Sequence, residues 1–262
     1  MRTNTVKAAL RAGGVALGTM VFEFNTAGIG RIAAAAGAEF ILYDMEHTGW
    51  SIETIRTLMA TTRAADIVPM VRVPATQYHL LSRPLDVGAM GLMVPMVESE
   101  EQARLIVNSA KYPPTGRRGA AFGVMHDDYG LEPGTAVEKM ARANEEVLLI
   151  AQIETAAGVE NVERIAAVEG IDVLWIGHND LTNSLGIPGQ FGHPRYQDAI
   201  ARVLAACRRY DKAAGLMPGT PEWAGDLLNQ GFRILAYSGD LWLYGQALRD
   251  GLTAIRAGQH AK

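Results

Sequence analysis

Four acids, one histidine and one arginine in this 262-residue chain have the types and spacing to act together. Asp44, Glu46 and His47 close the apolar stretch Phe40-Ile41-Leu42-Tyr43, and Arg72 stands between Val71 and Val73. Glu154 directly follows Ile153, and Asp180 comes shortly after Ile176-Gly177. Glu154 and Asp180 offer hard oxygen ligands suited to Mg2+ or a similar cation that keeps its other positions for water and substrate. No Cys/His cluster suggests structural zinc. A guanidinium on an apolar strand is costly to bury without an anion. Arg72 therefore needs one, either a structural carboxylate or a substrate carboxylate or developing enolate. His47 suits proton transfer or a structural hydrogen bond. Each acid also has a structural alternative: Glu154 as an acid favoured at a helix N-terminus, and Asp180 as the cap of a short turn over Leu181–Leu185. His79, His126, His193 and His260 sit in helical or loop contexts that carry no comparable argument.

These side chains matter together only if the fold brings them to one face. Short apolar runs rich in β-branched residues alternate with stretches of helical period, the signature of repeated βα units and a parallel sheet. The runs predict eight strands, at 15–20, 39–44, 68–73, 90–95, 147–153, 172–177, 213–217 and 232–237. Helix starts are well marked between them. Ser51 precedes a helix with core positions Ile52, Ile55, Leu58 and Met59; Ser99 with Gln102 and Thr135 with Glu138 read as capping boxes. Thr220-Pro221 opens a helix that Gly231 ends. Eight units without a Gly/Ser linker favour one closed (β/α)8 barrel over residues 1–262, whose C-terminal strand ends gather the candidate residues at one mouth. An open doubly wound sheet is the alternative, but Gly28-Ile29-Gly30 lacks dinucleotide-fingerprint spacing. The irregular stretch 112–134 is long enough for a functional loop or an interface.

Composition narrows the partners. A net charge of −4 leaves no basic excess for phosphate backbones, so nucleic acid is excluded as an expected partner. Cys207, the single cysteine, falls in step with Tyr196, Ile200, Val203 and Leu204 and reads as a buried core thiol. The run Val15 to Phe22 imitates a signal peptide poorly, since it contains Gly18 and stops at Glu23 without a small-residue cleavage site. No stretch approaches a membrane span. A cytoplasmic protein without membrane attachment is the expectation.

Several motifs in order resemble the HpcH/HpaI family of class II aldolases, whose type member cleaves a hydroxy-oxo-heptanedioate to pyruvate and an aldehyde. The matching residues are Asn4 to Gly13, Tyr43-Asp44-Met45-Glu46-His47, Pro69-Met70-Val71-Arg72 and Leu85-Asp86-Val87-Gly88-Ala89. Val94-Pro95-Met96-Val97 and Tyr112-Pro113-Pro114 with Gly116 and Arg118-Gly119 continue the series. The most specific match is Gln152-Ile153-Glu154-Thr155 followed by Gly170-Ile171-Asp172, Ile176-Gly177 and Asp180-Leu181. The resemblance implies a single TIM barrel of the phosphoenolpyruvate/pyruvate type and a divalent cation, Mg2+, Mn2+ or Co2+, on Glu154 and Asp180. It gives Gln152 a supporting place beside the metal, Arg72 the 2-oxo group and enolate, and His47 the acid–base role with Asp86 orienting its ring. Gly177 and the amides around Asn179 and Asp180 would receive the substrate carboxylate. The substrates would be a 2-oxo acid and an aldehyde. The assembly would be a homo-hexamer, a trimer of dimers exchanging C-terminal helices over about 240–257.

Two departures bear on specificity. The chain has Gly177-His178-Asn179-Asp180 where the family pattern is Gly-Pro-x-Asp, which makes His178 a new polar contact. The run Phe122 to Tyr129 also differs; its Asp127 and Asp128 read as part of a solvated loop rather than a second metal site. An oxaloacetate decarboxylase or a carbon–carbon-forming enzyme resembling macrophomate synthase would share the same metal and enolate. A non-catalytic barrel would have no reason to keep these residues at one mouth.

Overall fold

A computed structural model describes residues 1–130 and 133–259; His260 and two residues of the 112–134 stretch lie outside that description. Eight strands, β1 (Ala16–Val21), β2 (Phe40–Asp44), β3 (Val68–Arg72), β4 (Gly91–Val94), β5 (Leu148–Ile153), β6 (Val173–Ile176), β7 (Ala213–Leu216) and β8 (Ile234–Gly239), pair in sequence order and close into a barrel. Every pairing is parallel, including β8 on β1. The strands read as unbroken apolar runs because both faces are covered, the helices lying outside and the barrel core inside.

The two faces separate by residue parity. Phe40, Leu42, Val68, Met70, Met93, Leu148, Ile150, Val173 and Trp175 fill the barrel. Ile41, Tyr43, Val71, Leu92, Leu149, Ala151 and Ile153 pack outward against helices. Parity then assigns the interior to Asp44, Arg72 and Gln152, which form a polar layer above the apolar ones at the C-terminal end.

The helix signals hold. Ser51 accepts from the Thr54 N–H at the start of α3 (Ile52–Thr62), and Thr135 makes a reciprocal capping box with Glu138. Before α5 (Glu100–Ala110), Ser99 accepts from the Gln102 N–H, but the Gln102 side chain takes the Glu98 N–H, one residue earlier than expected. Thr220 caps α11 (Pro221–Gln230), and Gly231 ends it at φ +102°. The last strand starts two residues later than the apolar run suggested, because Phe232 bonds back to Leu227 and its side chain belongs to the outer core. Cys207 is buried on α10 (Pro194–Arg209) with the apolar residues expected beside it, and burial pushes its thiol up to about 12.

Part of the 112–134 stretch packs against the barrel, while residues such as 113–115 and 119–121 are exposed. Tyr112, Met125, His126 and Asp127 are buried, and the Asp127 carboxylate accepts the Gly123 N–H at 2.7 Å. Asp128 is exposed and pairs with Arg63 at 2.8 Å. The solvated-loop expectation therefore holds for Asp128 and not for Asp127. The final helix, α12 (Asp240–Gln259), lays Trp242 against Phe22 and Tyr244 against Phe24, while Leu248, Leu252 and Ile255 are exposed. No described helix is long and apolar enough to cross a membrane.

Candidate active site

Asp44 and Arg72 are register partners on adjacent strands, and both face the barrel interior. The Arg72 Nε donates to Asp44 Oδ1 at 2.6 Å, and its NH1 lies 3.1 Å from Glu46 Oε2. Phe22 lies 5.8 Å from the guanidinium. Arg72 is only 7% exposed, so the anion it requires is supplied by the chain itself. Asp44 also accepts the N–H groups of Glu46 and His47, at 3.1 and 3.0 Å, which turns the chain sharply after β2. Sequence reasoning placed Asp44 at this mouth without giving it a function. Strand parity was the signal that would have paired it with Arg72.

Glu154 sits just past β5 and is 1% exposed. One carboxylate oxygen accepts the Met96 N–H at 2.7 Å; the other accepts from the Gln152 side-chain amide. Met96 holds φ at +54°, a left-handed conformation costing about 1–3 kcal/mol for such a residue. That backbone aims its N–H at Glu154. A Cβ on Gly177 would collide with the Glu154 carboxylate and come within 2.9 Å of the Gln152 amide, so only glycine fits there. Burial pushes Glu154 up to about 7 against these hydrogen bonds, with Glu46 and Asp180 adding to the rise. Glu46 is also raised, by burial first and then by Asp44 and Asp180, with Arg72 opposing. Gln152 Oε1 and Glu46 Oε2 are buried without hydrogen-bond partners, although the latter keeps its ion pair to Arg72. Clustered acids, unused buried acceptor oxygens and a single guanidinium suit a hard divalent cation. Among the described residues no three Asp, Glu, His or Cys side chains form a complete metal cage, so a cation on Glu154 and Asp180 would draw other ligands from water and substrate.

The remaining candidates occupy different places. His47 stands at the mouth with its side chain 57% exposed, 3.7 Å from Glu46. Asp86, on α4 (Tyr78–Asp86), does not bond to His47 here. It takes the Arg118 guanidinium at 2.6 Å, and the Arg118 guanidinium carbon lies over the Tyr112 ring, 4.7 Å from its centre. Gly177 precedes α9 (His178–Ser184), whose first turn exposes Asn179 and Asp180. His178 is half-buried, edge-on to Phe191 at 5.3 Å and Trp223 at 5.2 Å. Burial draws its imidazole down to about 4. It is a neutral ring in an aromatic cluster rather than the new polar contact expected. Asp240, which sequence reasoning missed, accepts the N–H groups of Phe22, Glu23 and Phe24 at 2.9, 2.9 and 2.6 Å. It fixes the loop that carries Phe22 to Arg72. An acid immediately after the last strand was its only sequence signal.

The chain is similar to known proteins over nearly its whole length. The family model described as HpcH/HpaI aldolase/citrate lyase matches residues 4–246. A 2-dehydro-3,6-dideoxy-6-sulfogluconate aldolase of Pseudomonas putida is 36% identical over 86% of this chain and 86% of its own. A 2-keto-3-deoxy-L-rhamnonate aldolase of Escherichia coli O157:H7 is 33% identical over 98% of this chain and 95% of its own. The crystal structure of an HpcH/HpaI aldolase from Desulfitobacterium hafniense DCB-2 superposes with a TM-score of 0.90 at 33% identity, covering 95% of this chain and 96% of that one.

Proposed function

The chain belongs to the HpcH/HpaI aldolase/citrate lyase family, and on that premise we propose that it is a divalent-metal-dependent aldolase reversibly cleaving 4-hydroxy-2-oxo acids to pyruvate, or a pyruvate derivative, and an aldehyde. The observation that carries the reading is the buried Glu154 carboxylate, built by Met96, Gln152 and Gly177 beside the Arg72–Asp44–Glu46 cluster. The names of the aldolase relatives point to 2-keto-3-deoxy sugar acids as the substrate class.

Glu154 and Asp180 would hold the cation, with Gln152 fixing the Glu154 rotamer. When bound, the cation supplies Lewis acidity toward the carboxylate and keto oxygens of the 2-oxo acid. Arg72 keeps Nε on Asp44 and NH1 against Glu46, which leaves its NH2 group to stabilise the negative charge that develops on the keto oxygen. His47, exposed at the mouth, removes the C4 hydroxyl proton as the C3–C4 bond breaks and its electron pair enters the enolate. It then returns a proton to C3. The amides at the start of α9 receive the substrate carboxylate. Asp86 is committed to Arg118, so the carboxylate beside His47 is Glu46.

The proposal includes a homo-hexamer, a trimer of dimers that exchange α12. Supporting it, every described side chain of that helix from Gln246 to Gly258 is exposed, among them Leu248, Leu252 and Ile255. A partner would cover such a stripe. The test of function is a matrix of 2-oxo acids, aldehydes and metals read out by adduct mass. Adducts that need both an aldehyde and a metal support the aldolase. Carbon dioxide release from oxaloacetate with no adduct for any aldehyde would replace it with a decarboxylase.

A further inference from the structure

The opposite end of the barrel holds a second charged cavity, of about 360 Å3, where β5 to β8 begin. Lys7 on α1 (Thr5–Arg11) and Lys111 after α5 are each 3% exposed, and both ammonium groups donate to one carbonyl, Val147 O, at 2.6 and 2.7 Å. Lys212 donates to Ile171 O at 2.7 Å, and Arg233 donates to Leu10 O and Lys212 O at 2.6 and 3.1 Å. Among the described residues, only Lys7 of these four cations has a carboxylate partner, Asp172 at 3.2 Å, and Asp172 is also bonded to the Leu149 N–H. Arg11 is neutralised at the surface by Glu145. Glu169 and Asp211 are exposed on the rim and make no ion pair among the described residues.

Carbonyl oxygens satisfy the hydrogens of an ammonium group but carry only partial charge, so they do not neutralise it. Two buried ammonium groups on one carbonyl repel each other, and burial with the neighbouring Lys7 holds Lys111 well below the ordinary lysine range. A simple structural plug would have no reason to leave open space beside them. We propose that this cavity binds a small multivalent oxyanion, phosphate or a polycarboxylate, with Lys7 and Lys111 at its floor and Lys212 and Arg233 on its wall. Lysine suits such a ligand as a point charge, and arginine as a fork. Because α1 and the starts of β5 to β8 all line the cavity, the bound anion would tie the N-terminal helix to the barrel. The inference does not depend on the aldolase reading.

Thermal melting of the full chain in inorganic phosphate, succinate or chloride at matched ionic strength tests it. At a hundredfold excess over Kd, phosphate or succinate should raise Tm by roughly 5 °C or more and saturate, whereas chloride should not; which of the two saturates identifies the ligand chemistry. The shift should vanish in Lys111→Met and in Lys212→Gln, the second being a half-buried position that keeps the fold if the first does not. The bound anion should also slow acylation of Lys212 by an amine-directed reagent, read by mass spectrometry. No saturable shift in either arm, or an equal shift in the parent and Lys212→Gln, overturns the proposal.

Discussion

Replacing Arg72 by lysine keeps the charge and removes the fork. In the parent, Nε is 2.6 Å from Asp44 and NH1 is 3.1 Å from Glu46, both partners being mostly buried. An ammonium on a flexible stem can meet one of these carboxylates while facing the substrate, but not both in this geometry. Loss of one charge-assisted hydrogen bond should cost about 1.5–3 kcal/mol of folding stability. That leaves a folded protein. The effect on chemistry should be larger, because the guanidinium NH2 group left free by those two carboxylates is the proposed oxyanion donor. Removing one such donor lowers kcat by about 100-fold or more. Steady-state cleavage of a 2-keto-3-deoxy acid, with pyruvate release coupled to a dehydrogenase, gives kcat, and a melt gives the stability. A variant that melts below the parent yet turns over at the parent's rate would refute the assignment and leave Arg72 as a structural ion pair.

The double variant Glu154→Ala/Asp180→Ala should fold, lose turnover and lose Mn2+ binding by titration; unchanged Mn2+ affinity would exclude these carboxylates as ligands. Gly177→Ala pushes a methyl group into Glu154 and Gln152 and should weaken metal affinity or activity by about 10–100-fold, while parent-like values would show the close approach to be incidental. His126 is buried against Ala121 O and its imidazole is held below the ordinary histidine range, chiefly by burial. A lowered folded pKa makes its contribution complete above the unfolded value of 6.5 and lost as pH falls through the folded one. The stability gap between parent and His126→Gln should therefore narrow on acidification, and a gap constant with pH would contradict that burial effect.

The barrel was legible because parallel strands covered on both faces leave apolar runs that hardly vary with context. Phe232 escaped because an apolar residue after a C-cap glycine looks like the next strand. Arg72 was legible as a charge that an apolar strand cannot hold alone, and parity would have supplied Asp44. Asp86 shows where sequence stops: its partner Arg118 lies 32 residues away in the 112–134 stretch, and nothing local marks that pairing. His178 fails in the same way, since Phe191 and Trp223 arrive from other elements. For α12, periodicity shows which residues are apolar but not whether a partner covers them.

Enolisation of the donor alone is the most direct measurement of the central claim, since it needs no knowledge of the aldehyde. In heavy water with Mg2+ or Mn2+, the methyl protons of pyruvate should exchange for deuterium faster with the protein than with metal alone. Hydroxypyruvate and oxaloacetate run beside it cover the choice of donor. Exchange that disappears on chelation and in His47→Ala is the expected result. If metal-loaded protein exchanges or turns over none of the three donors, or if His47→Ala exchanges pyruvate as fast as the parent, the proposed proton transfer at this barrel mouth is wrong.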